Sequence, residues 1–181
     1  MFLNAGAFIV GPVELVSDAQ LENVITLNGL HVIYMARIFL ERLTLRNKEQ
    51  KGRSCLVVTS SGLANFAMPG LISYCSTKIL VSRFCQATAE EVRSNGIDVM
   101  SWEAGGITTK LNPRTNAMTL KCKPAVSQCF SKIGFESKTD GHWFFELVML
   151  SAGVFSLRLF GSFIASKTRQ MFLKEQAEKK E

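Results

Sequence analysis

Cys55-Leu56-Val57-Val58-Thr59, Tyr74-Cys75-Ser76-Thr77-Lys78 and Ile97-Asp98-Val99-Met100-Ser101-Trp102-Glu103-Ala104 are the three runs whose order decides the fold. The first is a continuous apolar strand of the kind buried on both faces of a parallel sheet. Residues 60–73 hold two glycines and Pro69, so they read as a loop. From residue 74 to about residue 93 the apolar period is helical, and Asn95-Gly96 closes that helix before the strand at 97–104. A buried strand, a long helix and a second buried strand argue for a parallel α/β sheet.

Working outward, residues 1–4 read as a strand stub. Ser17-Asp18-Ala19-Gln20 is a capping box, and a helical pattern runs from it to about residue 45 through Leu21, Val24, Ile25, Leu30, Ile33, Ile38 and Leu40, with Asn28 inside. A polar turn is predicted at residues 47–53. Downstream, 105–123 reads as a loop with Pro113, Pro124 opens a helix ending near Gly134, and 135–139 suits a last short strand.

With 181 residues, 47% apolar and 20% charged, the chain suits one globular domain of ordinary size, soluble or membrane-attached. Its net charge of +6 gathers partly in Lys110, Arg114, Lys121, Lys123, Lys132 and Lys138, against Glu136 and Asp140. Such a stretch reads first as a solvated surface, and also suits anionic lipid or a phosphate-bearing substrate. No basic-aromatic motif of a nucleic-acid module accompanies it, so no nucleic-acid partner is expected. The five cysteines form no C-x-x-C pair and only two histidines could join them, which argues against a metal site or a disulfide framework and for a reducing compartment. Met1-Phe2-Leu3-Asn4 lacks the basic start of a cleavable signal peptide.

Residues 142–165 are the most hydrophobic stretch, but Glu146 and Arg158 leave an uncharged interval of 11 residues. A spanning helix wants ~20, so an interfacial or core segment fits as well. Glu146 and Arg158 could also snorkel toward the two headgroup layers, and Lys167, Arg169 and Lys174 suit an anionic cytoplasmic leaflet.

Tyr74 and Lys78 stand at i and i+4, on one face of a helix start. Alone, such a pair reads as a surface tyrosine beside a solvated lysine. Ser61, thirteen residues earlier and just past the strand at 55–59, changes that reading. A parallel sheet delivers groups there to its carboxyl edge, where ligands bind. Reducing a ketone puts negative charge on the carbonyl oxygen, which requires a proton donor and a hydrogen-bond donor aimed at it. Tyr74 would be the acid and Ser61 the stabiliser. A nearby Lys78 ammonium would favour the phenolate of a group whose free pKa is ~10.

The run Val57 to Gly62 followed by Tyr74-x-x-x-Lys78 resembles the serine strand and catalytic helix of the short-chain dehydrogenases/reductases. Asn4-Ala5-Gly6 is similar to the end of that family's Asn-Asn-Ala-Gly motif, with Leu3 at the first position. Asn28 is placed like its catalytic asparagine, and Ala104-Gly105-Gly106-Ile107-Thr108-Thr109 resembles its Pro-Gly-x-x-x-Thr loop, with Ala for Pro. The resemblance implies catalytic roles for Asn28, Ser61, Tyr74 and Lys78. It implies cofactor contacts for Asn4, Ala5, Gly6, Tyr74, Lys78, Gly105, Ile107 and Thr109, with Lys78 on the nicotinamide ribose and Asn28 anchoring a relay water. As a plainer alternative, Asn28 caps a kink in its helix, and Ile107 and Thr109 are ordinary loop residues.

Thr108 to Leu111 and Phe130 to Gly141 further resemble the 17β-hydroxysteroid dehydrogenase and very-long-chain 3-oxoacyl-CoA reductase branch. That branch implies NADPH rather than NAD, a ketone on a lipid-like or acyl-CoA substrate, and the endoplasmic reticulum membrane with the catalytic part facing the cytosol. A homo-oligomer is also compatible with it. Residues 1–141 are thus expected to form part of a Rossmann-like catalytic domain, and 142–181 an apolar, membrane-associated helix with a basic tail.

The family's glycine-rich cofactor turn would precede Asn4, and no G-x-G-x-x-G occurs in these 181 residues. About three strands of the family sheet are expected to be missing. Two functions therefore stay open: a reductase whose remaining part lies elsewhere, or a non-catalytic fragment serving as a membrane-associated interaction protein.

Overall fold

The structure, a computed structural model of the chain, describes residues 1–110, 112–113, 115, 119–143, 147 and 161–178. Its centre is a four-stranded parallel sheet of β1 (Phe2–Leu3), β2 (Ser54–Thr59), β3 (Ile97–Trp102) and β6 (Lys138–Thr139), in that order. The register sets Leu3 beside Val58, and Ser54 through Thr59 beside Ile97 through Trp102. Successive strand residues face opposite sides, so β2 builds two cores. Leu56 and Val58 pack with Val32, Ala36, Val81, Cys85 and Val99 on one face, whereas Val57 packs with Met100 and Cys129 on the other. Each full burial of a Val or Leu is worth ~1.5–3 kcal/mol, which is why β2 and β3 hold the centre.

The Ser17 cap forms as predicted: its side chain accepts from the Gln20 amide, and the Gln20 side chain accepts from the Ser17 amide. It opens α1 (Asp18–Ile25), which runs through a π-helical turn at Thr26–Leu30 into α2 (His31–Gln50). The predicted helix end near residue 45 and the polar turn at 47–53 are therefore corrected. The helix continues to Gln50 because Asn47 is buried, donating to the Asn95 and Gly96 carbonyls and accepting from Ser54 Oγ. The chain then reverses through Lys51, whose φ of 49° is left-handed.

After β2, a 3-10 turn at Gly62–Asn65 leads to α3 (Ile72–Val92), and Gly96 with φ 69° begins the return to β3. The predicted loop at 105–123 is also corrected: β4 (Gly106–Thr108) and β5 (Thr119–Lys121) pair in parallel within it. Helix α4 (Cys122–Ser131) covers the second face of the sheet. Within the basic stretch, Lys132 pairs with Glu136 at 2.7 Å and Lys138 with the buried Glu103 at 3.1 Å, both lysine side chains staying about a third exposed.

Most of the apolar stretch 142–165 lies outside the described residues. Helix α5 (Gly161–Glu178) lies against the body of the fold, with Phe172 buried and Arg169 paired to Glu14 at 2.6 Å. By length and composition alone, Asp18–Gln50 could cross a bilayer. Its buried face, with Val24, Asn28, Val32 and Ala36, belongs to the core.

Candidate active site

The carboxyl ends of β1, β2 and β3 converge with the start of α3, and this is where the predicted residues meet. Ser61 follows β2 in an extended conformation, and its Oγ accepts from the Leu63 amide at 3.2 Å to begin the 3-10 turn. Tyr74 is the third residue of α3, with its hydroxyl beside the Ser61 side chain. Lys78 lies one turn further, its Nζ 5.7 Å from the centre of the Tyr74 ring. That Nζ donates to the Thr59 carbonyl at 2.9 Å, while Ser60 Oγ donates to the Lys78 carbonyl at 2.8 Å. The end of β2 thus grips α3 from both sides of Ser61.

Burial pushes the Tyr74 phenol above its ordinary pKa, opposed by the neighbouring Ser61 side chain. Burial also pushes Lys78 down to about 8. The sequence reading expected the Lys78 ammonium to draw Tyr74 toward the phenolate. In the structure desolvation sets the direction, and a phenol that keeps its proton suits a proton donor.

Asn28 stands fully buried in the π-helical turn, where the His31 amide reaches back to the Thr26 carbonyl. Its Oδ1 accepts from the Ala7 amide at 2.7 Å, and its Nδ2 donates to the Ala7 carbonyl at 2.9 Å and to Thr77 Oγ1 at 3.2 Å. Thr77 Oγ1 in turn donates to the Tyr74 carbonyl at 2.8 Å. Asn28 therefore joins the loop after β1 to the helix that carries Tyr74, and single-turn π segments are frequent at functional sites.

Asn4, Ala5 and Gly6 run exposed across the top of this group. Asn4 Oδ1 accepts from Thr59 Oγ1 at 2.7 Å. A Cβ on Gly6 would stand 3.2 Å from Asn28 Oδ1 and 3.4 Å from Lys78 Nζ, so glycine lets the chain pass close to both. Gly105, Ile107 and Thr109 form a second group after β3. There Asn112 donates its side chain to the Ile107 carbonyl at 3.2 Å, and the Thr109 amide donates to the Asn112 carbonyl at 2.9 Å.

The sequence reading missed Asn112 and Glu103. The dipeptide Asn112-Pro113 was a turn signal for the first. Glu103, fully buried at the end of β3, accepts from Ser82 Oγ at 2.5 Å and Asn65 Nδ2 at 2.6 Å and pairs with Lys138. It ties the turn after Ser61 to α3 and β6, and these partners offset the desolvation cost of its buried carboxylate. A charged residue closing a buried strand was its only trace in the sequence.

A family model described as short chain dehydrogenase matches residues 1–120. The chain belongs to this family. Short-chain dehydrogenases among its relatives include the very-long-chain 3-oxoacyl-CoA reductase of Bos taurus, 31% identical over 72% of this chain and 41% of the relative. The uncharacterized oxidoreductase YbbO of Escherichia coli strain K12 is 30% identical over 64% of this chain and 41% of that protein. The chain thus spans about two-fifths of the length of these curated relatives. Among solved structures, a 3-ketoacyl-(acyl-carrier-protein) reductase from Brucella melitensis complexed with NADH superposes with a TM-score of 0.66, at 19% identity. That match covers 75% of this chain and 60% of the other. A 4-hydroxyisoleucine dehydrogenase complexed with NADH and succinate gives 0.62 at 23% identity, covering 72% and 57%. These likenesses establish the Rossmann-type short-chain dehydrogenase fold.

Proposed function

We propose that the chain is the catalytic part of a reductase acting on a ketone of a lipid-like substrate, a 3-oxoacyl-CoA or a steroid, with Tyr74 as general acid. The observation that carries this reading is the convergence of Tyr74, Ser61 and a buried Lys78 at the carboxyl edge of a parallel sheet. Ser61 would donate to the carbonyl oxygen as charge develops there, and Tyr74 would deliver the proton. Lys78, with its lowered pKa, would replenish that proton, and Asn28 would hold the relay path by fixing Ala7 to the Tyr74 helix.

The residues fit the nicotinamide end of a dinucleotide. Gly6 leaves space beside Lys78 Nζ and Asn28 that a Cβ would crowd, and exposed Asn4 and Ala5 border it. Lys78 would hold the ribose, and the loop with Gly105, Ile107 and Thr109 would hold the carboxamide. NADPH, when bound, supplies the hydride; the branch resemblance favours it over NAD.

The names of the bovine and other reductases support a very-long-chain acyl substrate, and the branch resemblance adds a place at the endoplasmic reticulum membrane, with the site facing the cytosol. Exposed Trp143, Leu147 and Phe163 support membrane contact. The exposed stripe of Leu30, Tyr34, Ile38 and Leu45 supports a homo-oligomer. The same surfaces favour a second reading, a membrane-associated interaction protein without catalysis. The test is ketone-dependent NADPH oxidation by the protein purified from its own cells in detergent, with a 3-oxoacyl-CoA and with estrone. Oxidation with neither ketone would overturn the reductase reading and leave the second.

A further inference from the structure

We propose that Asn95 is a modification site: attack by the Gly96 amide converts its carboxamide to an aspartyl or isoaspartyl carboxylate, and the isoaspartyl form opens a clamp at the amino edge of the sheet. The chain holds two Asn-Gly pairs, Asn28-Gly29 and Asn95-Gly96. Asparagine is a thermolabile residue, and a following glycine places no Cβ beside the nitrogen that attacks the asparagine side chain. The fold separates the two pairs. Asn28 is fully buried, its carboxamide held by the Ala7 amide and carbonyl and by Thr77 Oγ1. Asn95 is half-buried in the 3-10 turn Arg93–Asn95 that follows α3, and among the described residues no hydrogen bond holds its carboxamide. Gly96 lies at φ 69°, and its amide donates to the Arg93 carbonyl at 3.1 Å. Opening that last bond of the turn frees the Gly96 amide, whereas freeing Gly29 requires the core to open.

The reaction consumes water and nothing else. The Gly96 nitrogen loses its proton to hydroxide and bonds to the carbonyl carbon of the Asn95 side chain; the carboxamide C–N bond breaks, and its nitrogen takes up a proton and leaves as ammonia. Water then opens the cyclic imide at one of its two carbonyls. Cleavage at the side-chain carbonyl gives aspartate on an unchanged main chain. Cleavage at the main-chain carbonyl gives isoaspartate, in which the main chain runs through the β-carbon and the former main-chain carbonyl becomes a free carboxylate.

The consequence falls on Asn47. Buried near the end of α2, it donates from Nδ2 to the Asn95 carbonyl at 3.1 Å and to the Gly96 carbonyl at 3.0 Å. The Ser54 amide, the first of β2, donates to the same Gly96 carbonyl at 3.1 Å. The end of α2, the start of β2 and the start of β3 therefore meet on two consecutive carbonyls. Isoaspartate removes the first carbonyl from the main chain, and the inserted β-carbon displaces the second. Aspartate keeps both in place. The clamp lies at the amino edge of the sheet, opposite the edge that carries Tyr74, so the modification bears on the lifetime of the folded chain and not on ketone chemistry.

The test follows the full chain as it ages in mildly alkaline buffer, folded and in urea. The tryptic peptide 94–110, released after Arg93 and Lys110, carries Asn95. Its amide-to-acid mass gain measures conversion, and labelling by protein isoaspartyl methyltransferase measures the isoaspartyl share. In the folded chain Asn95 is expected to convert about tenfold faster than Asn28 or more, and in urea the two rates should converge. Equal rates in the folded chain overturn the site, and so does an intact Asn95 there, since the Arg93 bond then shields it. Rates that stay apart in urea overturn the assignment of the difference to the fold. In the isoaspartyl form the Ser54 amide is expected to exchange its hydrogen roughly tenfold faster than in fresh protein, while aged Asn95→Gln keeps its protection. Unchanged protection of Ser54 in the isoaspartyl form overturns the clamp. If Asn95→Gln unfolds, fresh and aged parent separated by ion exchange carry the same comparison. None of these readouts involves turnover, so their outcome is independent of the reductase reading.

Discussion

Asn28 and Ala7 exchange two hydrogen bonds, the Ala7 amide donating to Asn28 Oδ1 at 2.7 Å and Asn28 Nδ2 donating to the Ala7 carbonyl at 2.9 Å. A side chain inside the π-helical turn thus behaves as a strand partner for the loop after β1. Asn28→Ala would take the partner from both part-buried Ala7 groups and leave Thr77 Oγ1 with its bond to the Tyr74 carbonyl alone, and an unsatisfied buried group costs ~1–3 kcal/mol. Urea unfolding is expected to register a loss of about 2 kcal/mol or more. Asn28→Asp keeps the acceptor for the Ala7 amide and should fall between; a loss below ~0.5 kcal/mol for Asn28→Ala would mean the link holds nothing.

Lys78 gives the fold a pH dependence of definite sign. Burial lowers its pKa from 10.5 to about 8, so between those values the unfolded chain binds more protons than the folded one, and stability rises with pH. Below about pH 8 the buried ammonium carries its full penalty. At ~1.4 kcal/mol per tenfold the gain from pH 8 to 10.5 is at most about 3 kcal/mol. The urea midpoint should climb across that window and lose its Lys78-dependent slope in Lys78→Met. A midpoint equally pH-dependent in both proteins would contradict the assignment.

Tyr74→Phe removes the phenolic hydroxyl beside Ser61 while leaving the ring against Phe8. In the ketone-reducing protein it is expected to lower kcat by ~10²–10⁴, the usual worth of a general acid. Circular dichroism should be unchanged. Residual activity within tenfold of the parent would show that the proton comes from another group.

Gly70→Ala should release α5. The new Cβ would occupy the place of Thr168, and the backbone φ of 76° would become strained. Trypsin is expected to cut after Lys167 and Arg169 at least tenfold faster in the variant. Unchanged cleavage would mean that α5 docks without Gly70.

The 181-residue chain by itself should bind NADPH very weakly. It contains no glycine-rich turn, and the family grips the pyrophosphate with the amides of such a turn and the helix behind it. Charge-assisted hydrogen bonds contribute ~1.5–3 kcal/mol each, so lacking three weakens binding by roughly three orders of magnitude or more. Calorimetric titration measures this directly; micromolar binding would mean that the residues around Lys78 suffice.

Local chemistry alone determined the buried strand at 55–59, the Ser17 cap, the helix carrying Tyr74 and Lys78, and the return through Gly96. Each follows from short-range periodicity or from a turn residue with one permitted backbone, so a single sequence carries it. The i, i+4 spacing of Tyr74 and Lys78 likewise fixed their shared helix face. What tertiary structure decided was every feature that depends on a partner far along the chain. The helix runs on past residue 45 because Asn47 finds Ser54, Asn95 and Gly96. Lys138 is paired because Glu103 lies buried beside it, and Tyr74 keeps its proton because burial desolvates the phenol. The seat of α5 joins Arg169 to Glu14 and Phe172 to Gly11 across most of the chain. Pairings and desolvation of this kind depend on three-dimensional neighbours, to which residue spacing is blind.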